Sequence, residues 1–259
     1  MKELLETAKI LAKEAGEHIR QSASQFRQID YKGRADLVTD VDRRAEEIIL
    51  DGIGRIYPGH AVLAEESGGN ETQSDYRWVV DPIDGTTNFV HGYPFYCVSI
   101  AVQYQQETVA AVVLNPVLGE LFSALKGGGA YLNGNPIVVS PTNKLSKALV
   151  ATGFPYQFGE HWQHSMTLFE VFYRNCHGVR RDGAAALDLC YVAAGRFDGF
   201  WEYELQPWDV AAGLLIVQEA GGKVTDFENN PSGICDRQVL ASNGRIHDEM
   251  LQVMRMHPV

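Results

Sequence analysis

The chain has 259 residues, 45% of them hydrophobic and 21% charged, with 22 Lys and Arg against 33 Asp and Glu for a formal net charge of −11. This is the composition of a folded protein with a sizeable core, either one large domain or two tightly fused halves, and not of a disordered or fibrous chain. The acidic excess argues against a nucleic-acid backbone as the main partner and suits a protein that recruits cations.

Charges run through the first twenty residues, so no signal peptide is expected there. No apolar stretch is long enough to span a bilayer, and the expectation is a cytoplasmic protein with no membrane partner. The four cysteines, Cys97, Cys176, Cys190 and Cys235, form no C-x-x-C pair. A zinc site is therefore not expected, and Cys97 and Cys190 read as reduced core residues.

Leu4, Leu5, Ala8, Leu11, Ala12, Ala15 and Ile19 recur at helical spacing and predict an amphipathic first helix. Lys32-Gly33-Arg34-Ala35-Asp36 reads as a turn or exposed ribbon. A second helix is expected from near Val41 to Tyr57-Pro58-Gly59, burying Ala45, Ile48, Ile49, Ile53 and Ile56. Ala61–Ala64 and Trp78-Val79-Val80 read as strands. Beyond the second, Asp81-Pro82-Ile83-Asp84-Gly85-Thr86-Thr87-Asn88 places two carboxylates where the strand is expected to end, before a turn and a helix.

Strands are expected over 97–104, 109–114, 121–125 and 137–139, as an antiparallel meander punctuated by Asn115-Pro116, Gly127-Gly128-Gly129 and Asn133-Gly134. The texture then changes. Strands at 148–152 and 199–203 alternate with helices at 161–174, 183–194 and 209–220, the last closed by Gly221-Gly222. The boundary falls near Pro141, dividing one compact unit into an N-terminal α+β half (about 1–141) and a C-terminal α/β half (about 142–259).

Asp42, Glu65, the Asp81/Asp84 pair and Asp209 all lie where a strand or loop meets a helix, and such junctions can converge on one crevice. Clustered carboxylates repel unless a cation neutralises them. Mg²⁺ takes oxygen ligands and keeps some waters, so a few carboxylates per ion suffice. A two-metal arrangement follows, with Asp81 bridging, Glu65 and the Ile83 carbonyl completing one site, and Asp84 with Asp209 the other. One ion would activate a water and the other would stabilise a leaving oxygen. Gly85 and Thr86 open a helix and offer N–H donors to a phosphate, and the Thr86 hydroxyl is placed to relay a proton to Asp42.

Each piece also has a plainer reading. Asp84-Gly85 is a common turn, Asp209 a natural N-cap, and Asp42 a first-turn acid favourable to the helix dipole. Glu65-Glu66 could be a solvated loop and Lys32 an exposed lysine; His91 and His164 receive no role. The combination outweighs any single member.

In that combination the chain resembles the inositol monophosphatase family of metal-dependent, lithium-sensitive phosphatases, over nearly its whole length. The carriers are Asp81-Pro-Ile-Asp-Gly-Thr-Thr-Asn-Phe-Val90, Trp208-Asp209-Val-Ala-Ala-Gly213, Leu37-Val-Thr-Asp-Val-Asp42 and Glu65-Glu-Ser67. The resemblance implies a layered α/β/α/β/α sandwich and a Mg²⁺-dependent phosphomonoesterase acting on inositol 1-phosphate or a related polyol or sugar phosphate. It implies two to three Mg²⁺ ions, with Mn²⁺ as an alternative, and a homodimer.

By the same resemblance Glu65, Asp81 and the Ile83 carbonyl hold the first ion, and Asp81, Asp84 and Asp209 the second. Glu65 also helps to hold a third ion through water. Asp42 and Thr86 activate the attacking water, and Gly85 and Thr86 bind the phosphate. Asp84, Gly183, Ala184, Ala185 and Glu202 contact the polyol, and Lys32 supports the metals from a flexible loop. Glu204 departs from the family, which commonly has Gly there. Spaced two residues from Glu202, it is expected to point the same way along a strand. Histidinol phosphate, fructose 1,6-bisphosphate and 3′-phosphoadenosine 5′-phosphate are the competing substrates, and acids at 202 and 204 would repel a second phosphate. A regulatory binding protein that retains the fold is the alternative of another class.

Overall fold

The computed structural model describes residues 1–23, 29–31, 37–70 and 72–258. The chain opens with helix α1 (Lys2–Ser22), a ribbon of β1 (Ile29–Tyr31) and β2 (Leu37–Thr39), and helix α2 (Asp40–Ile56). There follow β3 (Ala61–Ala64), β4 (Tyr76–Asp84), the short helix α3 (Thr86–His91), β5 (Cys97–Tyr104), β6 (Glu107–Asn115), β7 (Glu120–Leu125), β8 (Ala130–Leu132) and β9 (Asn135–Ile137). The remainder comprises β10 (Leu149–Thr152), α4 (Glu160–Asn175), β11 (Gly178–Arg180), α5 (Ala185–Ala193), β12 (Gly199–Tyr203), α6 (Pro207–Glu219), β13 (Lys223–Thr225), β14 (Gln238–Ser242) and α7 (His247–Arg255).

Strands β3 to β9 form a seven-stranded sheet in sequence order, parallel between β3 and β4 and antiparallel elsewhere. The second sheet runs β11-β10-β12-β14-β13, with β10 parallel to both neighbours and the other pairs antiparallel. Helices α1 and α2 cover one face of the large sheet, α5 and α6 fill the space between the sheets, and α4 and α7 cover the far face of the small one. The result is the expected α/β/α/β/α layering.

Burial explains the sequence pattern of each layer. Alternate residues of β4 go to different cores: Trp78 and Val80 pack with α1 and α2, while Val79 packs with α5 and α6. A strand covered on both faces loses its polar alternation and reads as a continuous apolar run. Helices α5 and α6 are apolar all round because both of their faces meet protein. Helix α1 keeps an apolar stripe, and Leu4, Ala8, Leu11, Ala12, Ala15 and Ile19 are all buried.

Several expectations are corrected. Ile56, expected in the core, is exposed at the last residue of α2, where the chain turns away. The strand expected at 137–139 is Asn135–Ile137, paired in a hairpin with the unforeseen β8 through Asn133 (φ 50) and Gly134 (φ 81). Those positive φ values are what a two-residue primed turn demands. Among the described residues no helix is long and apolar enough to cross a membrane.

Candidate active site

Strand β4 runs further than its sequence suggests. Asp81 pairs with Ser99 and Asp84 with Cys97, so three steps on β4 oppose two on β5. Residues three apart in a regular strand face opposite sides, and a one-residue bulge restores a common side. Asp81 and Asp84 accordingly line the same cleft, of about 600 Å³. Gly85 follows at φ +94, and a Cβ there would stand 3.0 Å from the Phe95 carbonyl and 3.2 Å from Ala184 Cβ. Only glycine makes this turn into α3 without strain.

The Thr86 hydroxyl lies 2.9 Å from Asp42 Oδ1 and 3.0 Å from the Ile83 carbonyl, and its single proton serves one acceptor at a time. Asp42 is fully buried at the third position of α2. Its other oxygen accepts from the Thr39 amide (2.9 Å) and the Thr39 hydroxyl, while Thr39 caps the helix. Burial pushes the Asp42 carboxyl up, and the bonds from Thr39 and Thr86 oppose that.

Asp209 is not the N-cap of its helix. Pro207 starts α6 one step after Gln206, and Asp209, at the third helical position, accepts from the Gln206 amide at 2.7 Å. Glu65 follows β3, its amide 3.2 Å from the Val80 carbonyl. The next two amides, of Glu66 and Ser67, are held by the buried Glu46 carboxylate of α2 at 2.8 and 2.9 Å.

The Asp84 carboxylate reaches across to the start of α5, where Ala186 N–H donates to Oδ2 at 2.7 Å. A carboxylate is well placed at the positive end of a helix. Asn88 Nδ2 donates to the Phe95 and Asp182 carbonyls at 2.6 and 2.7 Å, drawing the Gly183 turn (φ +90) against α3. Glu202 sits on β12 with its carboxylate packed directly over Gly153.

Glu204 does not continue that strand. It has φ +61, a left-handed conformation that favours glycine, and its amide donates to the Arg237 carbonyl at 2.5 Å. Its side chain stands 2.8 Å from His161 Nδ1, and the His161 ring lies flat on Tyr203 with centroids 4.7 Å apart. Glu204 thus lines the cleft from its own direction and not in register with Glu202.

The family model described as "Inositol monophosphatase family" matches residues 1–257. The chain belongs to the inositol monophosphatase family. It is 46% identical over 246 residues to the inositol-1-monophosphatase of Synechocystis, covering 94% of this chain and 86% of that protein. It is 42% identical over 264 residues to the Nus factor SuhB of Pseudomonas aeruginosa, covering 99% and 97%. The crystal structure of the extragenic suppressor protein suhB from Bartonella henselae superposes with a TM-score of 0.93 at 40% identity, covering 96% of this chain and 97% of that one. Membership makes the chain a phosphomonoesterase, in a family that is generally metal-dependent.

In this inositol monophosphatase scaffold one cleft collects Glu65, Asp81, Ile83, Asp84, Thr86 and Asp209. Gly85, Gly183, Ala184, Ala185 and Glu202 line it too, while Asp42 stands behind Thr86. Lys32 lies outside the described residues. Burial, followed by the Glu65, Asp84 and Asp209 charges, pushes the Asp81 carboxyl far above its usual range. Asp84 is pushed up to about 7 by burial, against the pull of the Ala186 amide. Glu202 is pushed up to about 8 by burial and then by Asp209.

Among the described residues no three acids, histidines or cysteines stand as a ready-made ligand cluster. The donor chemistry nevertheless fits small hard cations. The acids are oxygen donors only, they raise one another's proton affinity, and Asp81 Oδ1 is buried without a hydrogen-bond partner.

Among the cleft residues that escaped the sequence reading are Gly153, Asp188, Arg181 as a lining residue, and Arg237. Gly153 and Asp188 carry no motif. A charged residue in the apolar run Ala185–Ala193 was the one available signal for Asp188.

Proposed function

We propose that the protein is a Mg²⁺-dependent phosphatase of inositol 1-phosphate or a closely related polyol monophosphate. The observation that carries this reading is the single cleft shared by Glu65, Asp81, Asp84, Asp209 and Thr86, with Glu202 lining it as well. Glu65, Asp81 and the Ile83 carbonyl would hold one ion, and Asp81, Asp84 and Asp209 a second. Glu65 would also help to hold a third ion, and Mn²⁺ is an alternative metal. When bound, such ions acidify water and neutralise the departing oxygen.

The residues of the chain do the rest. Gly85 and Thr86 amides orient the phosphate, and Glu202, Asp84 and the 183–185 turn orient the polyol. Water oxygen bonds to phosphorus in line as the ester P–O bond breaks. The Thr86 hydroxyl, hydrogen-bonded to Asp42 Oδ1, takes the water's proton while passing its own to Asp42. Solvent protonates the released alkoxide.

Phosphate release from inositol 1-phosphate, histidinol phosphate and fructose 1,6-bisphosphate, with and without Mg²⁺, tests this. The expected result is Mg²⁺-dependent turnover with the highest kcat/KM on inositol 1-phosphate. A tenfold preference for either of the others overturns the substrate choice.

A homodimer in the cytoplasm belongs to the same reading. Met166 and Tyr173, seven apart on α4, expose apolar surface that supports an interface there. Sedimentation at twice the monomer mass is the expected result. The Nus factor name of the Pseudomonas relative favours a second, regulatory role beside catalysis. A pulldown with wild type and Asp84→Asn would recover the same partner if that role is independent of turnover.

A further inference from the structure

Helix α5 contains a single charged residue, Asp188, in Ala-Ala-Leu-Asp-Leu-Cys-Tyr-Val-Ala. The helix lies in the core between the two sheets, and Asp188 is 1% exposed. Its Oδ1 is buried without a hydrogen-bond partner. A carboxyl group placed this way is destabilising unless something donates to it. The fold itself supplies little compensation. The charges that bear on it are mainly other acids, Asp182, Glu202 and Asp84, with Arg181 as the opposing one, and burial pushes its proton affinity up first of all.

The same side chain lines the cleft that holds Glu202. Each buried, unsatisfied polar group in a native structure calls for an explanation, and here the cleft provides one. A ligand entering it can bring the donor that the protein lacks.

We propose that Asp188 is a specificity-determining residue of the cleft, a second hydroxyl acceptor beside Glu202 that receives a hydrogen bond from the polyol part of the substrate. This rests on the polyol-phosphate reading above. With two carboxylates reading hydroxyls, the cleft selects substrates that carry a hydroxyl for each. An analogue lacking those hydroxyls leaves a buried polar group unpaired in the complex, and discrimination built that way is strong.

The test compares kcat/KM for inositol 1-phosphate and for cyclohexyl phosphate, the same ring without hydroxyls, in wild type, Asp188→Asn and Asp188→Leu. The ratio between the two substrates should fall about tenfold or more in Asp188→Leu, chiefly through KM, and less in Asp188→Asn, which keeps an acceptor oxygen. Thermal unfolding of the ligand-free Asp188→Leu protein should match or exceed wild type, because the substitution removes an unsatisfied buried polar group. The Mg²⁺ concentration for half-maximal activity should stay the same.

An unchanged substrate ratio, or a shifted Mg²⁺ requirement, would overturn the assignment. With histidinol phosphate assayed alongside, a loss of kcat/KM confined to that substrate would overturn it too, since it would indicate an ammonium partner. If Asp188→Leu does not fold, Asp188 is structural unless Asp188→Asn, which has the same shape, folds and shows the reduced ratio. Wild type that does not favour inositol 1-phosphate over cyclohexyl phosphate would remove the parent reading as well. Wild type with that preference and variants that keep it would remove only the role of Asp188.

Discussion

The Glu202 carboxylate lies on Gly153: a Cβ at residue 153 would stand 2.0 Å from Glu202 Oε1. Glycine is there because the carboxylate occupies the space a side chain would need. Gly153→Ala should therefore displace Glu202, the flexible partner, and leave the backbone in place. The expected outcome is a KM for the polyol phosphate raised about tenfold with Tm lowered by less than about 3 °C. Steady-state kinetics and a thermal melt on one preparation check both.

The Thr86 hydroxyl has a proton to relay only if Asp42 can accept it. Thr86→Val should lower kcat by about 10² to 10⁴ with little change in KM, and Thr86→Ser should stay within about tenfold of wild type. Activity lost in Thr86→Ser but kept in Thr86→Val would show that the methyl group, and not the hydroxyl, matters.

Glu204 carries a left-handed backbone that glycine adopts without strain. Glu204→Gly should hold Tm or raise it by up to about 3 °C, since the strain relieved is about 1 kcal/mol and the half-exposed pairing with His161 is worth less. Removing this negative charge from the cleft should also raise kcat/KM for fructose 1,6-bisphosphate, relative to inositol 1-phosphate, by about threefold to tenfold. Glu204→Ala retains the strain and should melt lower than the glycine variant.

Glu202 links stability to pH. Its carboxyl moves from 4.5 to about 8 on folding. Between those values the native state keeps a proton that the unfolded chain has released, so stability falls as pH rises. This contribution is intact below about 4.5 and fully lost above about 8. In chelator and without substrate, Tm should fall from pH 5 to 8, and Glu202→Gln should flatten part of the slope. Identical slopes would contradict the assignment.

How much of this was legible in the sequence depends on the kind of signal. The stripe of α1 and the four-residue β3 were readable because apolar spacing and flanking turn residues agree. The start of α6 was misplaced by two residues because Asp209 is a favoured cap and Gln206 is not; Pro207 was the better marker. Strands β11 and β13, each three residues long, leave no periodicity to read, and their pairing is decided by neighbours distant in sequence. The acids of the cleft announced themselves through motifs. The bulge that turns Asp81 and Asp84 to one side, the turn that takes Glu204 off the strand and the burial of Asp188 arise only from tertiary packing.

The central claim is that Asp84 and its neighbouring acids work together on a phosphoryl group with a divalent cation. Phosphate release from inositol 1-phosphate by wild type and Asp84→Asn, each titrated with Mg²⁺ from a chelated start, tests it most directly. The account predicts that wild type gains activity with Mg²⁺ and that Asp84→Asn stays at least about 10³-fold slower even at saturating Mg²⁺. Turnover by Asp84→Asn close to the wild-type rate, or wild-type turnover indifferent to chelation, would contradict it.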